Sequence, residues 1–364
     1  MNVVLIFVQL GYGGIEKKIY QISNELAKEL KVASILCIFD SCVNEHAYLD
    51  FRKISKVKVF CRDKSIFSWL GFDLYSLMIM SIYRPASILS FLDIASIPSA
   101  IYSFFNPKAF TVICEDALTS MYTRYHTDAF KTWKLVLAYR MVDYYIVSSS
   151  AILNEIANYL GVSLKKIKLI PNWSLLSAQE DEIFNIDKPI DFLFIGRFEY
   201  QKNVFLLLKI IYYLSKVKSD IRCVLVGKGS LHSQIQRFIS THGIEKNITI
   251  LTSVSEPKEY LLKSRFLLIT SHYEGFPLIA AESLSVGTPI ISTYYEGVED
   301  VIENNINGFI CYTKIDFFKK CLLSLSLNKH LYQSLQSHAI TSARKKFSAR
   351  NIETYVEILT QNDI

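Results

Sequence analysis

Glu274 and Glu282 stand eight positions apart in residues 272–291, with Gly275-Phe276-Pro277 between them. That spacing brackets the start of a helix. Pro277 suits the first helical position, where its missing N–H costs nothing, and Gly275 lets the preceding turn bring backbone close to a ligand. The amides of Leu278 and Ile279 then open the helix. A helix N-terminus carries roughly half a positive charge, so this turn suits a phosphate. Glu282, more than one turn on, is spaced to accept hydrogen bonds from ribose-type hydroxyls, and Glu274 from hydroxyls on the reacting face of a sugar. Phosphate beside hydroxyls is the chemistry of a nucleotide sugar. Taken singly, Glu274 also reads as a surface acid favoured by the helix dipole, and Glu282 as an exposed helix residue.

A second constellation follows a predicted strand: Gly196-Arg197, then Lys202 five residues later and ahead of the next helix. Arginine offers a planar fork to phosphate oxygens and lysine a point charge, and together they neutralise a departing diphosphate. Solvated loop cations are the alternative reading. Near the N-terminus, Gly11-Tyr12-Gly13-Gly14 lies at a strand-to-helix junction, followed by Glu16. Its amides can approach a diphosphate, but the run lacks the Gly-x-Gly-x-x-Gly spacing of a dinucleotide fingerprint, and plain turn glycines explain it equally. Ser148-Ser149-Ser150 reads as a helix cap, since no Gly-x-Ser-x-Gly elbow surrounds it. The histidines form no metal spacing, and no Asp-x-Asp motif occurs.

The elements that must hold these residues read as α/β. Short β-branched runs alternate with amphipathic stretches, the pattern of parallel sheets covered by helices. Strands are expected near 2–9, 32–39, 57–60, 87–91, 110–114 and 144–147, then near 191–195, 221–226, 248–251, 266–269, 289–292 and 309–312. Helices are expected notably at 15–30, where Ile15, Ile19, Ile22, Leu26 and Leu30 recur at helical spacing, and at 150–160, closed by Gly161. A chain of 364 residues fits two domains. We expect 1–172 as the first, joined by a final helix within 346–364, then a polar linker at 173–190, and 191–345 as the second.

Half of the residues are hydrophobic, which excludes disorder. Residues 1–175 hold 19 Lys+Arg against 14 Asp+Glu and carry most of the net charge of +6. Arg52, Lys53, Lys56, Lys58, Arg62 and Lys64 fit either a solvated face or anionic headgroups. Interleaved acids and the lack of a basic-helix or zinc-finger pattern argue against nucleic acid. Seven scattered cysteines without a Cys-x-x-Cys pair read as reduced thiols of a cytosolic protein. Residues 66–83 carry Asp73 as their only charge. Gly71, the serines and the following Arg84-Pro85 favour a core or membrane-surface helix over a span.

The Glu274 to Glu282 pattern resembles the donor motif of retaining glycosyltransferases of family 4. Gly13-Gly14-Ile15-Glu16, Ile170-Pro171-Asn172 and Gly196-Arg197 with Lys202-Asn203 extend that resemblance over nearly the whole chain. Ser90-Phe91-Leu92-Asp93 and Tyr294-Tyr295-Glu296-Gly297 resemble bacterial members that extend lipid-linked oligosaccharides or O-antigen. The resemblance implies a GT-B fold, two Rossmann-like domains facing across a cleft, with acceptor on the first and donor on the second. It implies donor binding by Gly14, Arg197, Lys202, Glu274, Gly275, Phe276, Leu278, Ile279 and Glu282, an acceptor side at Gly13 and Glu16, and chemistry at Glu274, Arg197 and Lys202. One departure stands out. Where family members often place a histidine, this chain reads Ile113-Cys114-Glu115-Asp116, putting Asp116 at the reacting centre or, alternatively, at a helix N-cap or in a turn.

The expected reaction is retaining transfer of a hexose or N-acetylhexosamine from a UDP-sugar to a lipid-linked or cell-surface glycan precursor. No metal or other cofactor is expected, and the enzyme would work in the cytoplasm, peripheral to the inner face of the membrane. A sugar-nucleotide epimerase and a catalytically weak nucleotide-sugar-binding partner remain open as alternatives.

Overall fold

The computed structural model describes residues 1–10, 14–42, 44–68, 70–116, 139–254 and 256–360. Its backbone divides into two compact units, Met1–Pro171 with Ala349–Ile364, and Asn172–Ser348. Each is built on one parallel sheet. The first holds β1 (Asn2–Leu10), β2 (Ser34–Cys42), β3 (Val57–Cys61), β4 (Ser87–Phe91), β5 (Phe110–Glu115), β6 (Tyr144–Val147) and β7 (Ile167–Leu169) in the order β3-β2-β1-β4-β5-β6-β7. The second holds β8 (Ile190–Ile195), β9 (Cys223–Val226), β10 (Ile248–Leu251), β11 (Ser264–Ile269), β12 (Ile290–Thr293) and β13 (Gly308–Cys311) in the order β10-β9-β8-β11-β12-β13.

These strands exist because both faces of each sheet are covered. β4 and β9 are buried along their whole length, as parallel strands between helices must be. In the second unit, Phe192, Phe194 and Phe266 pack beneath the helix Val204–Val217, while Leu193, Leu267 and Ile290 face the opposite layer with Ala280 and Leu284. Each such side chain contributes about 1.5–3 kcal/mol by leaving water. Both sheets reverse direction beside their first strand: β1 lies between β2 and β4, and β8 between β9 and β11. At such a point the loops leaving the strand C-termini run to opposite sides and open a crevice, the usual ligand position in an open α/β sheet.

Several expected elements shift. The helix expected at 15–30 runs Gly14–Leu26, and Leu30 is 97% exposed. The Lys28 and Glu29 amides bond to carbonyls only three residues back, so the chain tightens and leaves the helix before Leu30. The stretch 173–190 belongs to the second unit, where Trp173 and Ile183 are buried and Glu180–Phe184 forms a short helix. Its apolar residues are too sparse for a periodic signal, yet they plug that unit's core. The final helix, Arg350–Thr360, lies in the first unit, tied by Ser87 Oγ donating to the Leu359 carbonyl at 2.7 Å and Asn351 Nδ2 to the Pro171 carbonyl at 2.8 Å.

Lys188 gives the second unit a pH signature. Its ammonium donates to the Leu262 carbonyl at 2.7 Å, and burial pulls its pKa down to about 8. Between that value and the ordinary lysine range near 10.4, the unfolded chain binds the extra proton, so stability rises with pH. Lys188→Met is expected to remove this rise and to raise the unfolding temperature below pH 8, read by thermal unfolding from pH 7 to 10. A pH dependence identical to that of the parent protein would refute the assignment.

Candidate functional site

The loops leaving β8 and β11 meet at the sheet reversal and bring Lys202 and Glu274 together. At the end of β8, the Gly196 amide donates to the Val226 carbonyl at 3.0 Å. A Cβ on Gly227 would lie 1.9 Å from the Gly196 carbonyl oxygen, so only glycine lets the two strand ends approach this closely. From that fixed point the chain turns through Tyr200–Lys202 to Asn203, whose left-handed backbone (φ 46°, ψ 45°) starts the helix Val204–Val217. Asparagine adopts this region more readily than most residues.

The loop after β11 is stitched to this turn. Thr270 Oγ1 donates to the Lys202 carbonyl at 2.8 Å, the His272 amide to the Gln201 carbonyl at 2.8 Å, and Gln201 Nε2 to the Tyr273 carbonyl at 3.1 Å. The rings of Tyr200 and His272 stack with centroids 4.8 Å apart. Burial, then the Lys314 cation, hold His272 below its usual pKa, so the stacked ring is neutral at pH 7.

Within this frame Lys202 Nζ lies 2.6 Å from Glu274 Oε1, which also accepts from Ser271 Oγ. Glu274 is 5% exposed. A buried carboxylate needs such partners, since an unpaired one costs several kcal/mol. The ammonium spends one of three donors here, leaving two for a ligand. Arg197 is exposed, and its guanidinium donates to Gln201 Oε1 at 3.2 Å. Gln201 thereby ties Arg197 to the loop that carries Glu274. Sequence reasoning missed Gln201, Ser271 and Tyr295. Tyr295 is buried, its hydroxyl has no partner among the described residues, and burial, then the Glu274 charge, hold it protonated. Its neighbouring residues in sequence carried a family resemblance, but nothing in them signalled proximity to Glu274.

The remaining donor-side residues divide. Leu278 and Ile279 open the helix Leu278–Ser285, whose N-cap residue makes no side-chain hydrogen bond to it. Pro277 occupies the cap, one position before the first helical residue, with ψ 111° keeping it extended. Glu282 is half-buried within that helix and Gly275 half-buried before it. The Phe276 side chain turns into the core, edge-on to Phe347 with centroids 5.4 Å apart, so its ring faces no ligand.

In the first unit, Gly14 begins the helix Gly14–Leu26, Glu16 lies in its first turn, and Gly13 falls outside the described residues. Asp116 follows β5, and both of its oxygens accept from Lys18 Nζ at 3.0 Å. It is an ion-pair partner of Lys18, and the residues that follow it lie outside the described residues. Lys18 is buried, lies 5.0 Å from the Tyr355 ring centroid, and keeps its proton firmly: burial pulls its pKa down, but Asp116 and Cys114 together more than offset this. Beside it, Cys114 Sγ lies 3.3 Å from the Tyr355 hydroxyl, and the Tyr139 hydroxyl donates to Glu115. Ser149 caps the helix Ser150–Asn154, as its sequence position suggested.

Comparison with known proteins adds four findings. Residues 177–346 match the family model described as glycosyl transferases group 1. The chain is 26% identical over 360 residues, 95% of its length and 93% of the relative's, to the Campylobacter jejuni GalNAc-alpha-(1->4)-GalNAc-alpha-(1->3)-diNAcBac-PP-undecaprenol alpha-1,4-N-acetyl-D-galactosaminyltransferase. It is 30% identical over 173 residues, 46% of the chain and 47% of the relative, to the lipopolysaccharide 1,6-galactosyltransferase of Salmonella typhimurium. Among solved structures, Anabaena HepE in complex with UDP and glucose superposes with a TM-score of 0.80 over 98% of both chains at 16% identity, a likeness of fold.

Proposed function

We propose, for a chain whose residues 177–346 are a group 1 glycosyltransferase domain, that it transfers a hexose or N-acetylhexosamine from a UDP-sugar to a lipid-linked glycan precursor with retention of configuration. Glycosyltransferase activity is the premise; donor, acceptor and stereochemistry are the proposal. The observation that carries it is the Lys202–Glu274 pair at the sheet reversal, four residues ahead of the helix Leu278–Ser285. Cationic Lys202 and Arg197, with the helix amides, suit a diphosphate, and Glu274 and Glu282 suit hydroxyls. A group 1 enzyme of this kind neutralises its leaving group with these cations, and we propose no metal. In the retaining, front-face route the departing phosphate oxygen helps take the acceptor proton, so no dedicated protein base is needed.

The UDP preference draws on the likeness to HepE, solved with UDP and glucose, and the acceptor class on relatives named for undecaprenol-linked and lipopolysaccharide substrates. We place the enzyme on the cytoplasmic face of the membrane, where nucleotide sugars and lipid-linked acceptors meet. The epimerase alternative needs acid/base residues flanking the sugar, and Asp116, held by Lys18, is a poor one.

A thermal-shift screen across UDP-, GDP- and ADP-sugars tests the donor. At a hundred times its dissociation constant the true donor stabilises the fold by about 2.7 kcal/mol, and we expect that response from a UDP-sugar. No shift with any UDP-sugar would sink the donor assignment. An inverted anomeric signal in the NMR spectrum of the product would sink retention.

A further inference from the structure

The second unit has a hollow at the end of its sheet opposite the Lys202–Glu274 pair. Lys188 lies just before β8 and Arg265 near the start of β11, whereas Arg197 and Glu274 follow the other ends of those strands. With Lys329, the first residue of the helix Lys329–Lys346, they line a space of about 250 Å³ whose other walls include Phe184, Tyr332 and Gln336. That volume falls short of the roughly 300–1,000 Å³ of a drug-sized ligand site, which suits a small guest.

Three cations meet there without an acid to hold them. Among the described residues none of the three makes an ion pair, and Asp187, on the same wall, reaches none of them. Their partners are neutral: Lys188 Nζ donates to the Leu262 carbonyl at 2.7 Å, and the Arg265 guanidinium donates to the Ser324 carbonyl at 3.0 Å and lies 5.4 Å from the Tyr332 ring centroid. Lys329 is the sharper anomaly. A helix N-terminus favours acids, yet the first turn of this 18-residue helix holds a lysine and no acid. Like charges gathered in this way repel one another until an anion joins them.

We propose that this hollow binds a phosphate dianion, free or carried on a small ester. Arg265 offers a planar fork, the two lysines supply point charges, and the helix dipole adds to the attraction. The walls are set beforehand, with the Tyr332 hydroxyl donating to the Arg265 carbonyl at 2.7 Å and Gln336 Nε2 to the Ile183 carbonyl at 3.0 Å. Binding therefore orders little.

A proton should enter with the anion. Burial pulls Lys188 down to about 8, so it is half-protonated there, and a neighbouring dianion favours the charged form. The charged groups bordering it are Asp187, Arg265 and Lys329; on the helix Pro257–Leu262 and its cap, Lys258 pairs with Glu182 and Lys263 with Glu259.

Calorimetric titration of the full-length protein at pH 8 with sulfate, a dianion that does not itself titrate there, reads the uptake in two buffers of different ionisation heat. We expect about half a proton per sulfate bound in the parent and none in Lys188→Met. Arg265→Gln/Lys329→Gln should weaken binding at least about tenfold, while Lys202→Ala, altered on the donor side alone, should bind as the parent does. If the double variant misfolds, Lys329→Gln is read in its place, with a loss of at least about threefold. Inorganic phosphate and glycerol 1-phosphate then identify the source: a tighter ester names a small organic phosphate, and equal or tighter inorganic phosphate names the free ion. Sulfate bound without proton uptake, binding unchanged in the arginine variant, or binding lost in Lys202→Ala would each overturn the proposal. No reading here depends on sugar transfer, so this site stands or falls apart from the proposed function.

Discussion

Lys202→Ala is expected to lower kcat/KM for sugar transfer by roughly 10²–10³-fold, the loss typical of removing one preorganised charge partner from a transition state. The cause is local. Lys202 is the cation nearest Glu274 at the β8–β11 crevice, and its removal leaves a 5% exposed carboxylate with Ser271 as its remaining named partner. Glu274→Gln should cost a similar factor, because the amide weakens the hold on Lys202 as well as the acceptor for a sugar hydroxyl. Since the two act as a unit, the double variant should be little worse than either single one. Initial rates with a labelled donor, alongside circular dichroism to verify the fold, provide the measurement. Activity within threefold of the parent in Lys202→Ala would remove this pair from the mechanism.

The second large effect falls on stability. Lys18→Met leaves Asp116, 10% exposed, as a charge without its ammonium, and breaking a buried pair from one side costs about 3–5 kcal/mol. Asp116→Asn should destabilise in the same way through Lys18. Lys18→Met/Asp116→Leu should recover most of the loss, since two apolar groups of similar volume need no partner. The folded pKa of Lys18 lies above its usual value, so the pair's contribution is complete throughout neutral pH and fades only as pH climbs past the ordinary lysine range. Chemical denaturation of the four proteins at pH 7 measures the cycle. A Lys18→Met variant within 1 kcal/mol of the parent would mean that water already solvates the pair.

Arg197, Lys202 and Glu274 could be named from residue type and spacing, because a strand end followed by Gly-Arg and a Gly-Phe-Pro turn into a helix each dictate local backbone and local charge. Strand positions were legible for the same reason: Ile88-Leu89-Ser90-Phe91 and Phe192-Leu193-Phe194 are short apolar runs that only a sheet covered on both faces can bury. Helix ends were less legible. Leu30 fits the helical repeat, yet hydrogen bonds that tighten after Leu26 turn it to solvent.

Sequence alone settled the α/β architecture and its repeat into two sheets, and singled out the acids and cations proposed for a sugar diphosphate, because periodicity and turn chemistry act over a few neighbouring residues. Only the folded chain decided which of them meet. Lys202 reaches Glu274 across 72 residues, Lys18 claims Asp116 across 98, and Phe276 abandons the ligand side for Phe347. Strand order sets those encounters, through loops that converge where each sheet reverses. No local pattern encodes strand order, because it follows from how whole faces are buried.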